Sequence, residues 1–325
     1  MTAQEYIETK LKELKQPATI DVPEDKQQLV SSIFKLLMSK KFRKYAATPE
    51  LQEHMLSAIK LNVENDEPIN LTFLHGAYKL WRLEETPEAD WAELFSLMYY
   101  SDWVKPVCAI YKPGVWFDFF VDDLIIPILD NVDPADIDKY ISSYQNVMDF
   151  MKPYQPSNLK MTITPVGSRF SSPEAFNESL QINIDKTKSS LETGLPVLTD
   201  VDKAMVELNT RVTDEQKEDP QWREKVLLTH NAYMLTKAEP GYHNQSTKIK
   251  VFTQPLPTGM VMAVGSSKDS IAKFWVGVGA LKPRDDNFRQ IILSPNQLTE
   301  AKYTREDVQL AGLEGKNFKQ IRILA

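Results

Sequence analysis

One cysteine in 325 residues, Cys108, leaves no partner for an intrachain disulfide and no thiolate cluster for a metal. It sits in the apolar run Val104 to Ile110, which suits a small buried side chain better than a reactive thiol. Only 11 glycines occur, too few for the glycine-rich turns of a classical dinucleotide or nucleoside-triphosphate site. The patterns G-x-x-x-x-G-K-[ST], G-x-S-x-G and H-E-x-x-H are all absent. Gly277-Val278-Gly279 lacks a third glycine and a following helix start, so it reads as strand. Of the four histidines, His54 suits a helix surface, and His75, His230 and His243 are too scattered to define a metal site. No apolar run approaches the roughly 20 residues of a membrane span, and residues 1–16 are polar, without the apolar core of a signal peptide. The net charge is −7, from 38 Lys and Arg against 45 Asp and Glu, which disfavours phosphate-backbone binding to nucleic acid. The one dense basic run, Lys40-Lys41-Phe42-Arg43-Lys44, reads as a solvated helix end. These absences lead us to expect a cytoplasmic protein with a small-molecule substrate, no nucleic-acid or membrane partner and no cofactor; they leave the oligomeric state open.

What is present is a change of period. The first sixty residues are helical in pattern, with Leu29, Val30, Ile33, Phe34 and Leu37 on one stripe. Ile69 to Phe73 then alternates as a strand, ended by His75-Gly76. Thr86-Pro87-Glu88 predicts the start of a helix that turns Trp91, Leu94, Phe95 and Met98 inward. Val115 to Val121 predicts a second strand, and Asp133-Pro134 opens an amphipathic helix carrying Ile137, Tyr140, Ile141, Tyr144, Val147, Met148 and Met151. Leu159, Met161 and Ile163 mark a third strand, and Ser172-Pro173-Glu174 another helix. Helices are expected at about 200–213 and 220–237. Short strands follow at Lys248–Thr253, Met260–Val264, Phe274–Val278, Phe288–Leu293 and Gln320–Leu324. The order implies an α/β fold with a Rossmann-like mixed, largely parallel sheet flanked by helices, and additional antiparallel strands in the C-terminal third. We expect an N-terminal helical segment over 1–62, an α/β core over 63–195, and helices with a β-rich part over 196–325, packed as one unit with the core.

The chemistry-bearing residues fall after the strands. In Trp116-Phe117-Asp118-Phe119-Phe120-Val121-Asp122-Asp123, acids lie inside an aromatic strand, where a carboxylate must be paired or face a cleft. Alternation places Asp118 and Asp122 on the side of Trp116 and Phe120, and Asp123 on the other. The acids suit a general base, a metal ligand or amine recognition; equally, they suit a strand-end turn, a helix cap and a structural ion pair. His75, Lys79 and Arg82 follow the first strand and suit an anionic group, although a loop with ordinary surface cations explains them too. Arg169, in Gly167-Ser168-Arg169, follows the third. Three successive strand ends thus offer cation, acid and cation, in the position where parallel sheets form their clefts. His230 lies on a helical stripe with Trp222, Val226, Tyr233 and Met234, as a core histidine or a site residue. Lys282-Pro283-Arg284 reads as a surface loop.

Several features of residues 68 to 150 occur in a familiar order: Pro68 to Phe73 leading to Lys79; Pro87 with Ala92-Glu93-Leu94; Ile110-Tyr111-Lys112-Pro113-Gly114; Asp122-Asp123; then Asp136 and Tyr140. In this the chain resembles the pyoverdine/dityrosine biosynthesis family, the isocyanide synthases. It departs at Asp123, where the family's acid is usually followed by glycine, and at His75-Gly76-Ala77-Tyr78, which replace a proline- and lysine-rich stretch. The resemblance implies a Rossmann-like enzyme without a metal that joins an amino acid to a pentulose phosphate and releases an isonitrile. It further implies that Lys79 and Arg169 hold the phosphate and that the acids around Asp122 contact the amino group. Lys79, Asp122 and Asp123 are then the catalytic candidates, and His75, Arg82, Tyr111, Asp118, Arg169 and His230 the substrate-binding ones. Two other readings stay open: a metal-dependent glycosyl- or nucleotidyl-type transferase using Asp122 and Asp123, and a non-enzymatic interaction or effector protein using its aromatics.

Overall fold

The structure is a computed structural model that describes residues 1–76, 79, 83–130, 132–192, 215, 219–252, 260–261 and 273–325. Three helices open the chain: α1 (Ala3–Lys15), α2 (Lys26–Leu37) and α3 (Pro49–Glu64). Each begins where a short polar side chain, Thr2, Asp25 or Thr48, accepts a hydrogen bond from an otherwise orphaned backbone N–H of the first turn. Arg43 of the basic run donates from Nε to the carbonyl of Met38, the residue that ends α2 (2.9 Å), so this part of the run does sit at a helix end.

Strands and helices then alternate: β1 (Ile69–Gly76), α4 (Trp91–Ile110), β2 (Val115–Asp122), α5 (Ile125–Asp130), α6 (Pro134–Met151), β3 (Leu159–Pro165), α7 (Pro173–Glu192), α8 (Pro220–Ala238), β4 (Lys248–Phe252) and β5 (Met260–Val261). The five strands form one wholly parallel sheet in the order β3-β2-β1-β4-β5. After β3 the chain returns to the opposite side of β1, so the direction of winding reverses between β1 and β4. That switch point is where open α/β sheets leave a crevice at the carboxyl ends of their strands.

The last fifty residues build a second sheet from β6 (Val278–Arg284), β7 (Asn287–Leu293), β8 (Tyr303–Asp307) and β9 (Gln320–Leu324), ordered β7-β6-β9-β8, with α9 (Pro295–Glu300) between β7 and β8. In this sheet, among the described residues, β6 and β9 pair in parallel and the other two pairs are antiparallel. The C-terminal strands therefore divide: β4 and β5 extend the parallel sheet, and the rest form a separate sheet beside it. Among the described residues, no helix is long and apolar enough to cross a membrane.

Several expected boundaries move. The helix expected at Thr86-Pro87 starts at Trp91 instead, because Asp90 and Glu93 form a reciprocal capping box that fixes the first turn there. The strand expected at Phe274–Val278 is a turn up to Gly277, and the strand runs over Val278–Arg284, so Lys282 to Arg284 belong to a strand rather than to a loop. Strand β8 was not foreseen: its exposed, charged sequence YTRED has no apolar alternation to reveal it. The helix expected at 200–213 and the end of the strand expected at Met260–Val264 lie outside the described residues.

The two faces of the parallel sheet differ. On one, Ile69, Leu71 and Phe73, Val115, Phe117 and Phe119, and Ile249 and Val251 are fully buried. They pack under α4 and α6 through ring contacts such as Tyr100–Phe117 (5.2 Å) and Phe119–Tyr144 (5.5 Å). This apolar cluster runs on from Ile7 in α1 to Ile323 in β9, so both sheets and the N-terminal helices share it.

One cation is locked inside that core. Lys79 is fully buried, and its ammonium meets Glu93 at 2.9 Å, Asp90 at 3.1 Å, the Phe274 carbonyl at 2.7 Å and the Gly277 carbonyl at 2.6 Å. Burial works against its charge, but the two carboxylates outweigh that and raise its pKa. Two carboxylates against one ammonium in a dry site hold one negative charge too many. Burial accordingly pushes Glu93 well above the usual carboxylate range, and Tyr140 donates its hydroxyl to the same group at 3.0 Å. A raised carboxyl pKa means folding takes up a proton, so this group's contribution to stability falls between about pH 5 and 8. Glu93→Gln should therefore gain stability relative to the parent as pH rises across that window, as read from urea midpoints. Lys79→Met should lose about 3–5 kcal/mol at neutral pH, because it strands buried acids.

Candidate functional site

Asp122 closes β2 beside Gly76, the last residue of β1. Its Oδ1 accepts from the Tyr233 hydroxyl at 2.8 Å and from the Lys237 ammonium, both on α8. Helical spacing puts these two residues one turn apart on one face. Lys237 is 2% exposed and Asp122 23%, so the acid end of the pair is open at the strand ends, where such a sheet is expected to leave its crevice. A second cation, Lys273, is close enough to feel the Asp122 charge, and burial lowers its pKa to about 8. The cations Lys237 and Lys273 suit these strand ends to an anionic group.

Trp275 forms one wall, packed so tightly on Gly76 that a Cβ there would lie 2.7 Å from the indole. Glycine at the end of β1 is thus a close-approach residue. Phe120 and His243 form another wall, with ring centroids 5.6 Å apart. Burial, with Lys237 next, lowers His243 to about 4, so it is neutral.

The candidates read from the sequence separate under this geometry. Asp122 is at the strand end, as alternation placed it. Asp123 turns away: its Oδ1 accepts from the Gly167 N–H at 3.1 Å, and a Cβ at Gly167 would sit 2.9 Å from its other oxygen. Burial raises it to about 6. It ties the exit of β3 to the end of β2, and the two adjacent acids do not converge on one point. Among the described residues, no group of three or more His, Cys, Asp and Glu is arranged to hold a metal ion.

Lys79 does not line the crevice. All three of its protons are directed at the acceptors named above, inside the core. Its influence on the crevice is indirect: the carbonyls it grips, Phe274 and Gly277, bracket Trp275 and follow Lys273. Tyr111 lies at the other end of the sheet, where its hydroxyl donates to the carbonyls of Asn62 (3.1 Å) and Glu67 (2.6 Å). It anchors α3 to the approach to β2. His75 is 2% exposed in a box of Phe73, Phe119, Tyr144, Phe274 and Trp275 rings, all within 6.0 Å. Burial lowers its pKa to about 3, so it is a neutral ring beneath the crevice.

Asp118 is fully buried on the same side of β2 as Asp122. It accepts from Thr162 and Thr164 at 2.7 Å each and from Tyr242 at 2.9 Å. Arg169 is exposed, its guanidinium 4.3 Å from the Tyr242 ring centroid. His230 is partly buried on α8, one turn before Tyr233 on the same stripe. Arg82 lies outside the described residues. Cys108 is buried, which pushes its thiol up to about 12 and keeps it inert. The convergence of Lys79, Asp122 and Arg169 at three strand ends is thus replaced by Asp122 with Tyr233, Lys237 and Lys273.

No protein-family model and no curated protein sequence matches the chain. Among solved structures it is similar to the crystal structure of the PvcA protein from Pseudomonas aeruginosa, with a TM-score of 0.59 and 15% identity, over 91% of this chain and 100% of that one. At that identity the likeness is one of fold.

The Asp122–Lys237 pair should be strongly coupled. Asp122→Asn alone leaves a buried ammonium without its counter-ion and should cost about 2–4 kcal/mol, whereas Asp122→Asn combined with Lys237→Met should recover at least half of that. Urea denaturation of the two single variants and the double variant gives the coupling; strictly additive losses would show that the pair is not the unit described.

Proposed function

We propose that this chain is a small-molecule biosynthetic enzyme resembling the isocyanide synthases, acting on an amino-acid-like substrate with a phosphorylated sugar co-substrate. The observation that carries the reading is the meeting of Asp122 with Tyr233 and Lys237 at the carboxyl end of the parallel sheet, with Lys273 near enough to feel its charge. The likeness to the PvcA structure supports it at the level of fold and extends the resemblance beyond residues 68–150.

Both signs of charge are present in the crevice, which matches a pair of substrates with one ammonium and one phosphate. In this reading the phosphate lies against Lys237 and Lys273. The substrate ammonium takes a place on Asp122, whose Oδ1 is held in position by Tyr233. Lys273, whose pKa burial lowers to about 8, is largely protonated at neutral pH and serves as the second ammonium on the phosphate. The Trp275 indole supplies an apolar wall beside Gly76. A metal-dependent transferase draws less support, because Asp122 and Asp123 point to different partners.

Purified protein incubated with single amino acids and ribulose 5-phosphate should yield an isonitrile by mass spectrometry. Asp122→Asn and Lys273→Met should each lower the rate by about 100-fold or more, the usual scale of a lost acid–base or positioning group. The thermal shift produced by ribulose 5-phosphate should weaken above about pH 8, as Lys273 loses its proton. No turnover with any amino acid, together with no thermal shift by either substrate, rejects the proposal.

A further inference from the structure

The second face of the parallel sheet is unlike the first. Register places Lys248, Asn70, Trp116 and Lys160 side by side in one row across four strands. Lys250, Thr72, Asp118 and Thr162 make the next. Central parallel strands ordinarily carry apolar residues on both faces. Here two complete rows are polar or charged, broken only by one tryptophan. The middle of the patch is closed off: Asn70 is 8% exposed, Lys248 2%, and Thr72 and Asp118 0%. Its margins at Trp116, Thr162 and Lys250 are partly open, and Lys160 is exposed.

Part of the patch is internally satisfied. The Trp116 indole donates to Thr162 Oγ1 (2.7 Å), which donates in turn to Asp118. Thr164 and Tyr242 complete the carboxylate, and Lys250 donates to Asn244 Oδ1 at 2.6 Å. Three adjacent buried atoms are not: the Lys248 ammonium, Asn70 Oδ1 and Thr72 Oγ1 have no hydrogen-bond partner among the described residues. Buried polar groups are nearly always paired, so three orphans at neighbouring register positions indicate a missing partner rather than chance. Lys248 rests on the face of Tyr242, 3.1 Å from its centroid, a contact that steadies the cation but accepts none of its protons. Burial lowers its pKa to about 8 despite the pull of Asp118. Lys160 lies over Trp116 at 4.9 Å, and Arg169 over Tyr242 at 4.3 Å. Among the described residues, four cations to one carboxylate, on a chain with net charge −7, is a local reversal of sign.

We propose that these two rows form a second ligand site, distinct from the strand-end crevice, for a small hydroxylated oxyanion. A carboxylate or phosphate oxygen accepts from Lys248, and hydroxyl groups of the same molecule donate to Asn70 Oδ1 and Thr72 Oγ1. Trp116 and Tyr242 are its apolar walls. Phe120 separates the two sites: its ring is 5.2 Å from that of Tyr242 on one side and 5.2 Å from the Lys237 ammonium on the other.

Calorimetric titration of the full chain with D-glycerate, and separately with glycerol 3-phosphate, tests this and tells carboxylate from phosphate. One of the two should bind saturably, at least tenfold more weakly to Lys248→Met and to Thr72→Val, and unchanged to Lys237→Met. Thr72→Val keeps shape and strand propensity, so it decides the matter if Lys248→Met fails to fold. No saturable binding by either probe would mean that ordered water fills the patch, and would overturn the proposal. Binding lost in Lys237→Met but kept in Lys248→Met would place the anion in the strand-end crevice, with the same consequence. Isonitrile formation at Asp122 stands or falls independently of either outcome.

Discussion

A single ammonium group organises the region around the crevice. Lys79 leaves β1 and, instead of turning to water, enters the core, where it meets the first turn of α4 and the approach to β6. Buried cations are tolerated only when every proton finds an acceptor and the charge is balanced nearby. Here two of the acceptors are carbonyls more than 190 residues beyond Lys79 in sequence, so satisfying this one group brings the two sheets together. Because the gripped carbonyls flank Trp275, the same bond sets the wall of the crevice and the entry of Lys273. The excess of acid in a dry site fits the upward push on Glu93 and the hydroxyl that Tyr140 of α6 donates to it. A lysine that looks like a ligand-binding group in the sequence is instead a buried support for the segment that carries Lys273 and Trp275.

The sheet divides its labour by face. One side is a continuous aromatic layer beneath α4 and α6 and accounts for most of the apolar burial. The other is progressively polar from the carboxyl ends inward. It passes from Asp122 and Lys237, across Phe120, to the buried network of Asp118, Thr162, Thr164 and Tyr242. Buried polar networks add little net stability and are vulnerable to any unpaired member. Their presence along one face of central strands, in a chain with a large apolar core available, points to recognition rather than to folding.

Much of this was legible in the sequence, for identifiable reasons. The period-2 runs of β1 to β3 and the amphipathic stripe of α6 follow from elementary geometry. Alternation within Trp116 to Asp123 correctly placed Asp118 and Asp122 on one side. Partners distant along the chain were not legible. Lys237 reads as an ordinary cation at a helix end, where the dipole favours one anyway. The signal was its position one turn beyond Tyr233 on a stripe already containing His230. Tyr111 was misplaced because a Tyr-x-Pro-Gly turn specifies a bend before a strand and says nothing about which end of the sheet holds the ligand. In β4, Lys248 and Lys250 alternate with Ile249 and Val251. That pattern shows a polar face, yet without the register to Asn70 and Thr72 it resembles a solvated edge.

The bonds made by Asp122 also carry an order in time. Strands β1 to β3 are complete by residue 165, but the hydroxyl and ammonium that hold Asp122 lie 111 and 115 residues beyond it. While the chain is being synthesised, the acid at the end of β2 therefore exists first as a hydrated carboxylate on a partial sheet. Only when α8, then β4 on the far side of β1, and finally Trp275 have emerged can both walls of the crevice come into being. The strands that present Asp122 thus come early and the groups that hold it late, so a chain ending before α8 would carry the acid without its partners.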